Sequence, residues 1–552
     1  MERKEWIVTL HRKEDLESFY EDMETPGGDL YIPDRAVEVA NKRLISRNTH
    51  YMLTDEEVEL VKKDPRVWDC DLAELVDVLT RPQYKITNGA FDKSWPDSAT
   101  DINWGLLRHS EATNRSNWGD GGVTTITDDL TITASGKNVD VVIVDGHIDP
   151  AHPEFAVNPD GSGGTRVVQF NWFSLTNQVS GGSNGTYTYT PYVDAGNANR
   201  TDDNNHGCHC GGTVAGNTQG WARDANVYNI SPYGSNPNSL SSSLMWDYIR
   251  AWHNSKAVNA ATGRRNPTIT NNSYGSTITC GQNNFGNITS INYRGVNYNP
   301  GRNLTEAELD ARGCYTPAGI NVNFPNYFTS RQADMQDAID DGIIIVASAG
   351  NDAWKTVNSS DQDYNNTCEV SYFGTSYTWY LHRGTGSGAG YAPIINVGAL
   401  GNDNNEDKAY FSNCGSQVDI YAAGEAINSS VHAKSGDVAD PRLSGYNFDK
   451  YQGTSMSGPQ VAGVLACLAE SWQNMTQAEA HAWIIDNAGD DLMFDTQADD
   501  PNDIQSLQGA GNRILRWINQ RPETDMTFPQ RNFKPRPTTG HTYPRPRIRK
   551  RG

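Results

Sequence analysis

Residues 139–145 read VDVVIVD. The run is too short for a helix and lacks the apolar–polar alternation of a strand with one wet face. It reads as a strand covered on both faces, the way parallel strands sit inside an α/β sheet. Three more runs share this character: NVYNI (226–230), GIIIVASAG (342–350) and IINVGAL (394–400). Helical stretches lie between them, LSSSLMWDYIRAWHNS (240–255) and SRQADMQDAIDD (330–341). The alternation predicts a mainly parallel central sheet with helices on both faces, and ligands at the carboxyl ends of the strands.

The whole chain has 552 residues, a formal charge of −22 and eight cysteines. The length allows one large domain plus smaller pieces. The acidic balance argues against general nucleic-acid binding. Eight cysteines are too few for a disulfide scaffold; Cys280 and Cys314 share one Asn/Gly-rich stretch and are the pair to consider in an oxidising setting. The first thirty residues carry acids and bases throughout, so no signal peptide is expected, and no apolar run is long enough for a membrane span. Location is left open between an intracellular protein and one carried within a particle. The stretch 531–552, RNFKPRPTTGHTYPRPRIRKRG, is basic and proline-interrupted. It reads as a solvated tail or as a dock for an acidic partner.

Four pieces separate by pattern. Residues 1–76 hold WIVTL (6–10), a Thr54/Glu57 capping-box start with Val58 and Val61 behind it, and the strand-like RVWDC. They predict a small α+β unit. Residues 77–101 read as a linker, 102–518 as the α/β domain, and 519–552 as the tail. Two long stretches rich in Gly, Asn, Thr and Tyr, near 157–200 and 276–329, read as inserted surface loops.

The chemistry starts from HGCHCGGTVAG (206–216). Zinc ligands come in spaced pairs with a second pair elsewhere, and adjacent Cys208, His209 and Cys210 cannot all face one ion. A thiol redox site needs C-x-x-C, and this is C-x-C. No metal site is therefore expected here, and the reading left open is a base that activates a nucleophile elsewhere in the chain. GTSMSGPQVAG (453–463) places Ser455 at the mouth of an apolar helix, near backbone N–H groups suited to an oxyanion; taken alone, it reads equally as a cap. Asp145 ends a buried strand, where a carboxylate needs a hydrogen-bonded partner.

Taken in chain order, Asp145, His206 and Ser455 form an aspartate–histidine–serine set. With VDGHIDPAHPEF, HGCHCGGTVAG, IIIVASAGND and GTSMSGPQVAG in order, the sequence resembles the subtilases, the subtilisin-like serine peptidases, over about 102–518. The resemblance implies a subtilisin-like three-layer fold and hydrolysis of polypeptides. It makes Asp145, His206 and Ser455 catalytic and places Asn351 in the oxyanion hole. It assigns substrate binding to Ser273, Tyr274 and Gly275 of NNSYG together with Gly350. It makes Cys210 a thiol lying under the histidine and His209 structural. No cofactor is required. Calcium is common in the family, and the acidic loops 201–205 and 401–408 are its candidates. The first piece resembles the ferredoxin-like subtilisin propeptide, which implies an intramolecular inhibitor cut off within 77–101.

The sequence departs from the family pattern in three places. Asp145-Gly146-His147 stands for Asp-Ser/Thr-Gly, Ser457-Gly458 for Ala-Ser, and Gln460 for His. An alternative reading is a proteolytically silent or self-blocked subtilase fold serving in a large assembly such as a viral particle. Another is nucleic-acid binding by the tail, with steep salt dependence.

Overall fold

A computed structural model of the chain describes residues 3–27, 30–31, 38–41, 48–72, 84–86, 103–110, 130–132, 134–180, 191, 205–231, 244–275, 277–280, 288–312, 322–325, 327–372, 375–387, 393–403, 405–432, 438–498, 503 and 505–517. The chain divides into two compact units, Met1–Thr80 and Arg81–Gly552. The linker and tail readings lie almost wholly outside the described residues.

The first unit runs strand Lys4–Leu10, helix Leu16–Glu24, strands Glu38–Asn41 and Asn48–Leu53, helix Asp55–Val61 and strand Val67–Leu72. The strands form one antiparallel sheet in which Lys4–Leu10 pairs with both Asn48–Leu53 and Val67–Leu72. The second helix starts where its capping box predicts. Thr54 N–H donates to Glu57 Oε2 at 2.8 Å, and Glu57 N–H donates to Thr54 Oγ1 at 3.3 Å. Val58 and Val61 turn inward from it onto Val8, Phe19 and Leu53.

In the second unit, a nine-stranded sheet runs in the order 489–490, 513–514, 420–423, 395–400, 343–348, 268–272, 140–144, 226–230 and 167–168. All neighbours are parallel except the first pair. Successive side chains of a strand point to opposite faces. Thus Val141 and Ile143 join one apolar layer with helices His206–Ala215 and Thr454–Ala469, while Val142 and Val144 join the other with Met245–Ser255. An unbroken apolar strand is what two covered faces require. No described helix is long and apolar enough to cross a membrane.

The described part of the second inserted stretch is not all loop. Ile288–Tyr293 and Val296–Tyr298 combine with Thr367–Tyr372 and Thr375–Tyr380 in a four-stranded antiparallel sheet. Ile288, Ile291, Leu309 and Phe324 pack beneath it with Trp354 and Leu381. Turn-forming composition hid a few well-spaced apolar anchors. The first stretch supplies the edge strand Val167–Val168 and the short helices Trp172–Leu175 and Thr176–Ser180. Among the described residues, Cys70, Cys208, Cys210, Cys368, Cys414 and Cys467 are buried. Cys314 is outside the described residues, and with it the Cys280–Cys314 pairing.

A buried ion pair braces the domain. Glu154 is 0% exposed. It accepts from Thr218 N–H at 3.1 Å, Gln219 N–H at 2.9 Å and Arg442 Nη2 at 2.6 Å. Burial alone would raise its carboxyl, but Arg442 and these donors hold it down at about 2. Its folded value is depressed, so the stabilisation is present above about pH 4.5 and lost as pH falls through about 2. Glu154→Gln should cost about 3 kcal/mol at pH 7, the lower end for a broken buried pair because Asp440 still holds Arg442. Denaturant melts should show the gap to wild type closing as pH is lowered.

Candidate active site

Asp145 follows the central strand Asp140–Val144, beside strand Thr268–Asn272 in register Val144↔Asn272. Asp145 and Ser273 therefore leave adjacent strands at the same carboxyl end. His206 opens the helix His206–Ala215, immediately after Asn205, which takes a left-handed conformation with φ 64°. Its Nδ1 lies 2.9 Å from both Asp145 carboxylate oxygens, which makes Nδ1–H the donor and turns Nε2 away from Asp145. The His206 side chain keeps 26% exposure, while Asp145 is buried. Burial opposes charging of the imidazole, but the Asp145 carboxylate outweighs it and raises His206 well above the ordinary histidine range.

Ser455 is the second residue of helix Thr454–Ala469 and is 8% exposed. Its Oγ donates to the Ser273 carbonyl at 3.2 Å. Its own carbonyl accepts from Ser273 Oγ at 3.0 Å and from Cys210 Sγ at 3.3 Å. Cys210 lies one helical turn beyond His206, with Sγ 3.8 Å from His206 Nδ1. Burial pushes the Cys210 thiol up, so it stays protonated and able to donate.

Asn351 faces the same place from the strand Ile343–Ser348. Its Oδ1 accepts from Thr454 N–H at 2.8 Å and Thr454 Oγ1 at 2.7 Å, which directs Nδ2 the other way. A Cβ added at Gly453 would sit 3.4 Å from Asn351 Nδ2 and 3.6 Å from Ser455 N. Two N–H donors thus border the space that a glycine leaves open, the arrangement an oxyanion needs. Gly350 has φ 109°, donates to Thr454 Oγ1 at 3.1 Å, and has no room for a side chain beside the Asn413 amide.

The structure therefore brings Asp145, His206, Ser455, Asn351 and Ser273 together, with Gly350 alongside. Gly275 is exposed at the strand's end. The Tyr274 ring instead packs on the second apolar layer, so what Tyr274 offers at the site is main chain. His209 stacks on Tyr451 with ring centres 4.5 Å apart and is bonded through Nε2 to the Ile427 carbonyl; burial pushes it down to about 3, so it is neutral. His206, Cys210 and Asp145 place three ligand-type atoms within 4.8 Å of one another, a convergence that adjacency in HGCHC did not suggest. Cys208 and His209 point elsewhere, to Ser430 and Ile427. Sequence reasoning missed Thr454, which aims the Asn351 amide, although it stands next to the serine.

Two of the departures from the family pattern, at Gly146-His147 and at Gln460, are absorbed locally. Neither Gly146 nor His147 has positive φ, so a side chain at 147 is tolerated. The His147 carbonyl accepts from His432 Nε2 at 2.8 Å, and a Cβ at Gly207 would collide with the Gly146 carbonyl. Gln460 accepts from Trp221 Nε1 at 2.7 Å and donates to Asn103 Oδ1 at 2.7 Å, in a buried cluster of its own.

The subtilase family model, Peptidase_S8, matches residues 136–511, more than half of the chain. The chain belongs to the subtilase family. This subtilase is 25% identical over 269 residues to subtilisin-like protease 2 of Pseudogymnoascus destructans, covering 49% of the chain and 43% of that relative. It is 28% identical over 160 residues to subtilisin E of Bacillus subtilis, covering 29% of the chain and 32% of the relative. The chain thus spans less than half the length of these curated relatives. A cold adapted subtilisin-like serine proteinase of known structure aligns with TM-score 0.43 and 17% identity, covering 76% of this chain and 99% of that one.

The His206–Asp145 pair has a pH signature. A raised folded value means its stabilisation is full below about pH 6.5 and lost as pH rises through the raised value. In Ser455→Ala protein, imidazole NMR should show His206 titrating above the ordinary histidine value. Asp145→Asn should bring it down, since burial then acts without the carboxylate.

Proposed function

We propose that this subtilase is a serine endopeptidase. The observation that carries the reading is the junction of base and nucleophile. The histidine held by Asp145 and the serine opening the buried helix are bridged by one thiol, which reaches both His206 and the Ser455 carbonyl. In this reading a polypeptide lies as an added strand along the main chain of Ser273–Gly275, just past the end of strand Thr268–Asn272, where Gly275 is exposed. Ser455 Oγ turns from the Ser273 carbonyl to His206 Nε2, gives up its proton and attacks the scissile carbonyl. Asn351 Nδ2 and the Ser455 N–H receive the oxyanion. His206 then hands the proton to the leaving amine, and water repeats the cycle on the acyl-enzyme. Asp145 holds the tautomer and stabilises the imidazolium.

The N-terminal unit is proposed to be the ferredoxin-like propeptide and intramolecular inhibitor. Its β-α-β-β-α-β order and antiparallel sheet support that assignment. The basic tail is proposed to dock on an acidic partner. Calcium is proposed to bind at loop 401–408. Asp407 is 4% exposed, its Oδ1 accepts no hydrogen bond from the described residues, and Asp403 lies against it. A buried carboxylate in that position fits a hard cation held by oxygen atoms. Most of the other candidate loop, 201–205, is outside the described residues.

A fluorophosphonate probe should add once to wild type and not to Ser455→Ala; an unlabelled wild type defeats the peptidase reading. Asn351→Ala should lower turnover by about 10²–10³, a magnitude known for subtilisin itself rather than derived from this structure. Chelation should lower the thermal transition of Ser455→Ala protein, and added calcium should restore it. Asp407→Asn should remove that response, and an unchanged calcium response in Asp407→Asn would place the ion elsewhere.

A further inference from the structure

The Ser455 carbonyl is the most contested main-chain oxygen of the site, and the reason lies four residues on. In a helix this oxygen would accept from the N–H of residue 459. Residue 459 is proline, inside the helix Thr454–Ala469, and has no N–H to give. A buried carbonyl cannot be left empty without cost. Two side chains from other elements fill the gap: Cys210 Sγ from the histidine helix at 3.3 Å and Ser273 Oγ from the end of strand Thr268–Asn272 at 3.0 Å. Ser273 Oγ is itself fixed, accepting from Asn271 Nδ2 at 2.9 Å.

We propose that the missing N–H at Pro459 makes the Ser455 carbonyl a docking point, and that Cys210 and Ser273 are positioning residues which clamp the nucleophile's main chain in register with His206 and the substrate strand. Both side chains bond the Ser455 carbonyl rather than its Oγ, and Cys210 meets His206 at Nδ1, the nitrogen turned to Asp145. Each joins an element that must hold its place: Cys210 shares a helix face with His206, and the Ser273 main chain leads into Gly275. The clamp therefore sets the Ser455–His206 separation. Errors of about 1 Å at such a contact cost up to about 10²-fold in rate. The inference rests on the peptidase reading for its kinetic consequence, though not for the hydrogen bonds themselves.

Four variants of the full chain test it. Cys210→Ala should lower kcat by about tenfold to a hundredfold with KM little changed. Cys210→Ser, which keeps a donor, should restore most of that loss. Pro459→Ala placed in the Cys210→Ala background returns an N–H to the same carbonyl, so thermal stability should recover while kcat does not. Ser273→Ala should act like Cys210→Ala and serves as the second route if the cysteine variants fold poorly. Recovery of kcat together with stability would reduce Cys210 to a structural residue and overturn the proposal, as would an unchanged kcat in Cys210→Ala. The S–H infrared stretch, assigned by difference against Cys210→Ala, separates this failure from failure of the peptidase reading. A hydrogen-bonded thiol that is released in the single variant Pro459→Ala supports the clamp whether or not the chain cleaves peptides. A free thiol in wild type overturns it.

Discussion

The helix Thr454–Ala469 is buried along its whole length, and a helix without a wet face has to be sheathed on every side. One side is the sheet, and another is the helix His206–Ala215, both within the same apolar layer. Close approach is made available by small residues. A Cβ added at Gly463 would stand 2.9 Å from the Val214 carbonyl of the histidine helix. The hydrophobic demand of one helix thus places the residue at its mouth beside the first residue of the other. Serine and histidine meet because their helices have nowhere else to lie.

Much of this arrangement was legible in the order of residues. Unbroken apolar runs marked the strands because each is covered on two faces, and Asp145, His206 and Ser455 stood at the ends of elements, where side chains emerge toward a cleft. Strand Thr268–Asn272 is harder to find. Its TITNN is polar yet wholly buried, since Asn272 Nδ2 donates to the Val346 carbonyl and to Thr270 Oγ1. A search for apolar periodicity passes over a strand whose burial is secured by hydrogen bonds. Only its continuation, NNSYG, carried a signal.

The same limit explains the inserted sheet around Ile288–Tyr298. Its Asn-, Gly- and Tyr-rich sequence looks like loop because the apolar anchors are sparse, and half of its strands come from Thr367–Tyr380, far along the chain. Pairings at long sequence separation leave little trace in local pattern. Thr454 was missed for a different reason. Its role lies in aiming a neighbour's amide, and no composition rule announces that. Gln460 shows the converse case, where a departure beside the serine concerns a separate polar cluster with Trp221 and Asn103.

The burial of six cysteines gives the molecule a set of clocks. An alkylating reagent cannot reach a buried thiol until the surrounding structure parts, so the rate of modification counts opening events. Cys70 lies in the core of the N-terminal unit, and Cys208, Cys210, Cys368, Cys414 and Cys467 lie in the larger one. One reagent, followed peptide by peptide, therefore times the loosening of each unit separately. At Cys210 it times the parting of the two helices that hold base and nucleophile together.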